Sequence, residues 1–187
     1  EFNCLHDTTV YVYVRPQLKF DDAIACDLTH IFNPIDELQN PIKDGEFTIL
    51  EKPTETADIE FTQTGLATYE AVANEYGVYK ILMTSSDCGY TATAIFDYRP
   101  DPVIEPFDPV TALCPDATLV LDAGPQEANS DNFQITWISS NTGVFNTEDL
   151  AVTVDTTGIY YLSIVGYCGT AHDTTDVSIL FMEYDGN

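Results

Sequence analysis

The sequence predicts an all-β chain built from tandem β-sandwiches, and three observations predict it. Apolar and polar residues alternate at the period of a strand over short runs, with turn residues between the runs and almost no helical periodicity. One phrase of sequence recurs along the chain, which marks an internal repeat. The composition, 44% hydrophobic and 12% aromatic, supplies enough apolar surface for packed cores.

The repeated phrase is clearest at residues 157–182. Gly158-Ile159-Tyr160 opens an alternating apolar run, Cys168-Gly169 closes it, and the polar stretch His172-Asp173-Thr174-Thr175 leads into a second run from Asp176 to Met182. The pattern is that of a hairpin, with the polar stretch predicted as its turn. Gly77-Val78-Tyr79 opens a second copy, which reaches Cys88-Gly89 and continues to Tyr98. A truncated copy begins the chain with Cys4, His6-Asp7-Thr8-Thr9 and Val10 to Val14, and Arg15-Pro16 follows it as Arg99-Pro100 follows the second. Cys4 to Cys88 is 84 positions and Cys88 to Cys168 is 80.

This period divides the 187 residues into three parts. Residues 1–15 read as the terminal strand of a preceding, mostly absent repeat, 16–100 as one complete sandwich and 101–187 as another. The chain therefore reads as an excerpt of a longer array. A domain of about 80 residues buries only about 60–65% of its unfolded surface, so cross-links help it. Five cysteines without a Cys-x-x-Cys motif point to an oxidising compartment rather than to a zinc ribbon or a redox motif.

The elements follow in order. Val10, Val12 and Val14 share one face of a first strand, with Tyr11 and Tyr13 on the other. Leu28 to Phe32 is a short strand, and Asn33-Pro34 and Asn40-Pro41 punctuate a long loop. Residues 46–50 and 58–62 alternate at period 2, residues 68–73 alternate more weakly, and a short helix is an option near Glu70–Glu75. Pro100, Pro102, Pro106 and Pro109 make the junction a stiff, extended linker. In the second repeat, residues 117–121, Phe133 to Trp137 and Leu150 to Val154 are strands, with the lone Trp137 facing a core. Each Tyr of Gly-x-Tyr begins a buried face: Tyr79, Ile81 and Met83 in one repeat, Tyr160, Leu162 and Ile164 in the other. Burial at about 1.5–3 kcal/mol per large side chain explains that patterning.

The series Cys114, Leu119-Val120-Leu121, Ile135-Thr136-Trp137, Val152-Thr153-Val154, Gly158-x-Tyr160, Cys168-Gly169 and Asp173-Thr174-Thr175-Asp176 resembles the Ig-like or PKD-like repeats of large Bacteroidetes surface proteins. These include gliding-motility-type adhesins and other type IX secretion cargo. The resemblance spans nearly all of residues 101–182 and less of the first repeat, which has no Trp. It implies tandem Ig-like β-sandwich domains in an extracellular, cell-surface array, and it transfers no catalytic residues.

Six Lys and Arg against 31 Asp and Glu give a formal net charge of −25. Such a surface repels nucleic acid and anionic membranes, and no apolar run reaches transmembrane length. No Gly-x-Ser-x-Gly elbow accompanies the three histidines, His6, His30 and His172, so an enzyme is not expected. The cysteines pair by their places in the repeat: Cys26 with Cys88 and Cys114 with Cys168, each pair clamping one end of its own sandwich. Closing loops of that length contributes on the order of 4 kcal/mol in the chain-entropy account. Cys4, whose counterpart lies upstream, stays unpaired within this chain. Calcium is the cofactor to test, at Asp101 or Asp108 of the junction. Thr8, Thr156 and Thr174 follow an Asp in short Asp-Thr-Thr stretches resembling bacterial O-glycan acceptors, and turns would place them where a sugar costs no packing. Tyr11, Tyr13 and Tyr161 face outward, as aromatics that stack on glycans do.

The expected function is a stalk or spacer in a surface adhesin or filament, holding a binding or secretion-signal end away from the cell. Its partners are neighbouring repeats of the same polypeptide, the secretion or surface-motility machinery, and glycans. The alternatives are carbohydrate-binding accessory domains of a secreted enzyme, or a structural subunit of the secretion or motility apparatus.

Overall fold

The computed structural model describes residues 17–86, 89–112, 118–126, 133–146 and 148–180. Every regular element among them is a strand. Cys4, His6, Thr8, Tyr11 and Tyr13, together with Cys88 and Cys114, lie outside the described residues.

The first sandwich contains β1 (Leu18–Lys19), β2 (Ala23–Ala25), β3 (Thr29–Phe32), β4 (Ile35–Asp36), β5 (Gly45–Glu51), β6 (Ile59–Gln63), β7 (Tyr69–Ala73), β8 (Gly77–Ser85) and β9 (Thr91–Tyr98). One sheet has the order β2-β9-β8-β5 and the other β3-β7-β6, with a two-residue ribbon of β1 and β4 beside them. Edge strand β2 runs parallel to β9. Period-2 alternation builds the interior, as β8 shows: Gly77, Tyr79, Ile81, Met83 and Ser85 are buried, and the residues between them are not. Phe20, Phe32, Phe47, Phe61 and Phe96 fill the space between the sheets, with Phe47 and Phe61 stacked at 4.7 Å and Phe20 and Phe96 edge-on at 5.4 Å. Such pairs add about 0.5–1.5 kcal/mol beyond their area. The long loop after β3 is organised by Asp36, whose carboxylate accepts hydrogen bonds from the backbone N–H of Leu38 and Asn40, both at 2.8 Å, and from the Asn40 side chain at 2.9 Å.

The second sandwich contains β10 (Val110–Ala112), β11 (Leu119–Asp122), β12 (Gln134–Ser139), β13 (Gly143–Asn146), β14 (Ala151–Val154), β15 (Gly158–Val165) and β16 (Thr170–Ile179). Its larger sheet has the order β10-β16-β15-β12-β13 and faces the pair β11-β14. Again the edge strand β10 is parallel to its neighbour, β16. Trp137 is fully buried, lies 5.6 Å from the Phe107 ring and donates its indole N–H to the carbonyl of Asp149 at 2.9 Å. The core expected for Trp137 is therefore present, and its one polar atom is satisfied.

Two local expectations are corrected. Glu70 belongs to β7 rather than to a helix, because Tyr69, Ala71 and Ala73 are buried at period 2 and Glu70 and Val72 point away. His172 to Thr175 is not a turn but the middle of β16, paired in register with β15. Its polar side chains suit a strand with one solvated face, and Thr175, which points inward, donates its hydroxyl to the carbonyl of Asp108 at 3.0 Å. The reversal itself lies at Gly166–Gly169, closed by a 2.8 Å hydrogen bond from Gly166 N–H to the Gly169 carbonyl.

Candidate functional site: the junction between the sandwiches

The junction forms where β9 ends and the second sandwich begins. Residues beyond Pro102 already belong to the second sandwich. Val103 exchanges two hydrogen bonds with the Gln126 side chain, at 3.1 and 2.6 Å, and Glu105 N–H donates to Ala123 at 3.0 Å. Phe107 N–H donates to the Asp173 carboxylate at 2.7 Å. Pro100 and Pro102 are buried. The proline-rich stretch is thus mostly packed chain, and the connection between the sandwiches shrinks to residues 99–101.

Across this short connection Cys26 is bonded to Cys168, with the Cα atoms 5.3 Å apart and the two residues 142 positions apart in sequence. This overturns the expected pairings of Cys26 with Cys88 and of Cys114 with Cys168. The reason is directional. Strand β2 runs parallel to β9, so Cys26, directly after β2, arrives where β9 delivers the chain to the next sandwich. The β15–β16 turn of the second sandwich points back at the same place. A disulfide needs Cα atoms within about 7 Å, and the pole of one sandwich meets that condition with the facing pole of the next.

Arg99 ties the same point together. Its backbone N–H donates to the Ala25 carbonyl at 2.9 Å, and its guanidinium forks onto the Asp97 carboxylate, with the Nε contact at 2.8 Å. The guanidinium also lies over the Tyr167 ring at 5.2 Å, a cation–π contact from one sandwich to the other. The Arg99 carbonyl oxygen lies 3.4 Å from the Cys168 sulfur, which carries no proton once bridged. Gly169 faces Asp101 here: a Cβ would stand 2.9 Å from its carboxylate oxygen, and that side chain would have to turn aside. Sequence reasoning overlooked Arg99. Its signal was the recurrence of Arg-Pro at 15–16 and 99–100, after the last strand of a repeat.

The other candidate residues are not gathered into one site. His30 lies in the first sandwich, stacked on Phe32 and edge-on to Phe96 at 5.0 Å, beside a cavity of about 230 Å³ at the sandwich rim. Burial there lowers its pKa below the ordinary 6.5. His172 belongs to the other sandwich, 6.2 Å from the Tyr161 ring on an outer sheet face. Among the described residues no group of three or more His, Cys, Asp or Glu side chains is placed to hold a metal. Asp101 lies against Gly169 at the junction, while Asp108 uses its carbonyl to hold Thr175. Thr156 sits at the bend before β15 with its hydroxyl 2.8 Å from the Tyr160 hydroxyl, and Thr174 is exposed on the outer face of β16 rather than in a turn.

No protein-family model matches the chain, and no curated protein matches it. Solved structures do. The N-terminal four Ig domains of Dscam1 isoform 9.44 superpose with a TM-score of 0.57 at 9% identity, covering 88% of this chain and 46% of that one. Those of isoform 4.4 give 0.57 at 11% identity, covering 92% and 48%. The chain spans about half the length of these structures. At such identity the likeness concerns the fold, and it agrees with the strand orders and the two separate cores: the chain is a tandem of Ig-like β-sandwiches.

Proposed function

We propose that this chain is a stiffened, non-catalytic spacer from an extracellular multi-repeat protein. The observation that carries the reading is the Cys26–Cys168 bridge. A disulfide inside a sandwich would strengthen that sandwich alone. One that joins two sandwiches across a connection of three residues restricts how they move relative to each other. Domains joined by small interfaces move by default, so the bridge, the buried prolines and the Arg99–Tyr167 contact act against that default. Stable disulfides belong to oxidising compartments, which supports an extracellular setting.

The finer reading follows the resemblance of the repeats. The array belongs to a bacterial surface adhesin or filament, its partners are neighbouring repeats and the secretion or surface-motility machinery, and Thr174 is an accessible glycan acceptor. Small-angle scattering tests the spacer reading. The oxidised chain should scatter as one narrow distribution of shapes, and a Cys26→Ser/Cys168→Ser variant as a broader one with both sandwiches still folded. Identical scattering from the two would remove the bridge from any role in stiffness.

A further inference from the structure

The second sandwich is open at the pole opposite the junction. Strand β13 is the free edge of the five-stranded sheet, and β14 lies in the facing pair. Phe145 of β13 and Thr153 of β14 line one cavity of about 260 Å³. Strand β15 begins at this pole and runs eight residues, about 26 Å at strand rise, toward the junction turn.

A break in register places Phe145 at the cavity. In the β12–β13 ladder Ile138 pairs with Val144 and Trp137 with Asn146, so Phe145 is the extra residue of a β-bulge. Bulges at sheet edges re-aim a side chain. This one sets the Phe145 ring edge-on to Tyr160 at 5.8 Å and leaves Phe145 39% exposed.

Hydroxyls and one acid complete the lining. Ser139 is buried, and its hydroxyl accepts from the Asn141 N–H at 3.2 Å, which leaves its own proton without an acceptor among the described residues. The side chains of Thr142, Thr153 and Asp155 make no hydrogen bond or ion pair among the described residues. The frame that carries them is fixed. The Asn141 side-chain amide donates to the Thr157 carbonyl at 2.7 Å, tying the β12–β13 turn to the bend before β15, and the Tyr160 hydroxyl donates to the Thr156 carbonyl at that bend. Walls set before a ligand arrives reduce the ordering cost of binding.

This chemistry narrows the ligand. An anion would meet Asp155 and a chain of net charge −25. A hard cation needs several oxygen ligands, and Asp155 is the one carboxylate lining the cavity. A wholly apolar ligand would leave the buried Ser139 hydroxyl without water or a partner. The volume is below the roughly 300 Å³ at which pockets for drug-sized ligands begin, so it suits a single small ring.

We propose that this pole binds a neutral pyranose, the terminal sugar of a glycan. The C–H face of the sugar lies against Phe145, adjacent sugar hydroxyls donate to the Asp155 carboxylate, and Ser139, Thr142 and Thr153 exchange hydrogen bonds with the others. The site goes beyond the spacer reading and makes no use of the Cys26–Cys168 bridge, so its test and the scattering test fail independently.

Amide NMR shifts of the isotope-labelled, oxidised chain are followed as methyl glycosides of glucose, galactose, mannose and N-acetylglucosamine are added, the methyl group standing in for the next sugar. At least one should bind saturably in the millimolar range, with shifts centred on residues 142–145 and 153–156. Asp155→Asn and Phe145→Ala, both at exposed positions, should each weaken that binding about tenfold while the second sandwich still melts cooperatively. Tyr161→Ala, on the outer sheet face, should leave it unchanged. Tetramethylammonium, which a carboxylate beside an aromatic ring also attracts, is titrated in parallel. No saturable shift from any of the four glycosides, shifts centred elsewhere, affinity indifferent to both pocket substitutions, or tetramethylammonium binding tighter than every sugar would overturn the proposal.

Discussion

The Tyr79 hydroxyl donates to the carbonyl of Glu75, four residues upstream, at 2.8 Å, and Tyr160 repeats the bond to Thr156 at 2.8 Å. Both tyrosine rings are buried, so the phenol oxygen reaches the corner from inside the core. This tyrosine corner of Ig-type sandwiches gives the repeated Gly-x-Tyr its second purpose. The ring fills the core, and the hydroxyl fixes the turn that leads into the strand. A Tyr79→Phe variant should destabilise the first sandwich by about 1–2 kcal/mol, since it removes the donor and leaves the ring. Urea denaturation followed at the first sandwich checks this, and an unchanged midpoint would refute it.

The glycine two residues earlier is set by space as well as by backbone. Gly77 has φ +142°, and a Cβ there would meet Pro53 Cβ at 2.5 Å. Pro53 Cβ belongs to a closed ring and cannot rotate away as a flexible side chain would. Gly77→Ala should cost about 2–4 kcal/mol from the strained backbone and the overpacked contact together. Thermal melting should show the loss in the first sandwich and none in the second.

Trp137 anchors the second core by area and by its hydrogen bond to Asp149. Trp137→Ala should cost about 3–5 kcal/mol. Trp137→Phe should cost less, because it keeps an aromatic ring in the core and gives up only the rest of the indole's area and the bond. Equal losses for the two variants would show that packing area is not what the indole contributes.

His30 gives the first sandwich an acid sensitivity. Burial against Phe32 and Phe96 favours the neutral imidazole and lowers its pKa from 6.5. The unfolded chain then binds a proton more readily than the folded one, so stability rises with pH across this range. The contribution is fully present above pH 6.5 and is lost as the pH falls through the lowered folded value. Stability of the chain and of a His30→Gln variant, compared between pH 7.5 and pH 5, should show the original losing more on acidification. Parallel curves would assign the acid response elsewhere.

Much of this architecture is legible in the sequence, and the parts that are not share a physical cause. The strands around Phe47, Ile59, Trp137 and Val152 follow from period-2 burial, which is a local property. Residues 172–175 read as a turn because a solvated outer face and a turn have similar compositions. Only the pairing of Tyr161 with Thr174 across the hairpin distinguishes them. The Pro-rich junction reads as a linker because no periodicity marks residues 102–109, which pack by backbone hydrogen bonds to Gln126, Ala123 and Asp173.

The cysteines show the limit most clearly. Alignment of the repeats places Cys26 and Cys168 correctly within their own modules. It carries no information about which module supplies the partner, because that depends on the poles brought together at residues 99–101. The energetic consequence changes with the pairing. A bridge within one sandwich would stabilise that sandwich, whereas Cys26–Cys168 limits orientation, and its removal should leave both melting transitions nearly in place.

Non-reducing peptide mapping of the oxidised chain tests the central claim most directly. The account predicts a cross-linked peptide joining Cys26 to Cys168. Recovery of Cys26 with Cys88, or of Cys114 with Cys168, would contradict it and return each bridge to the interior of a single sandwich.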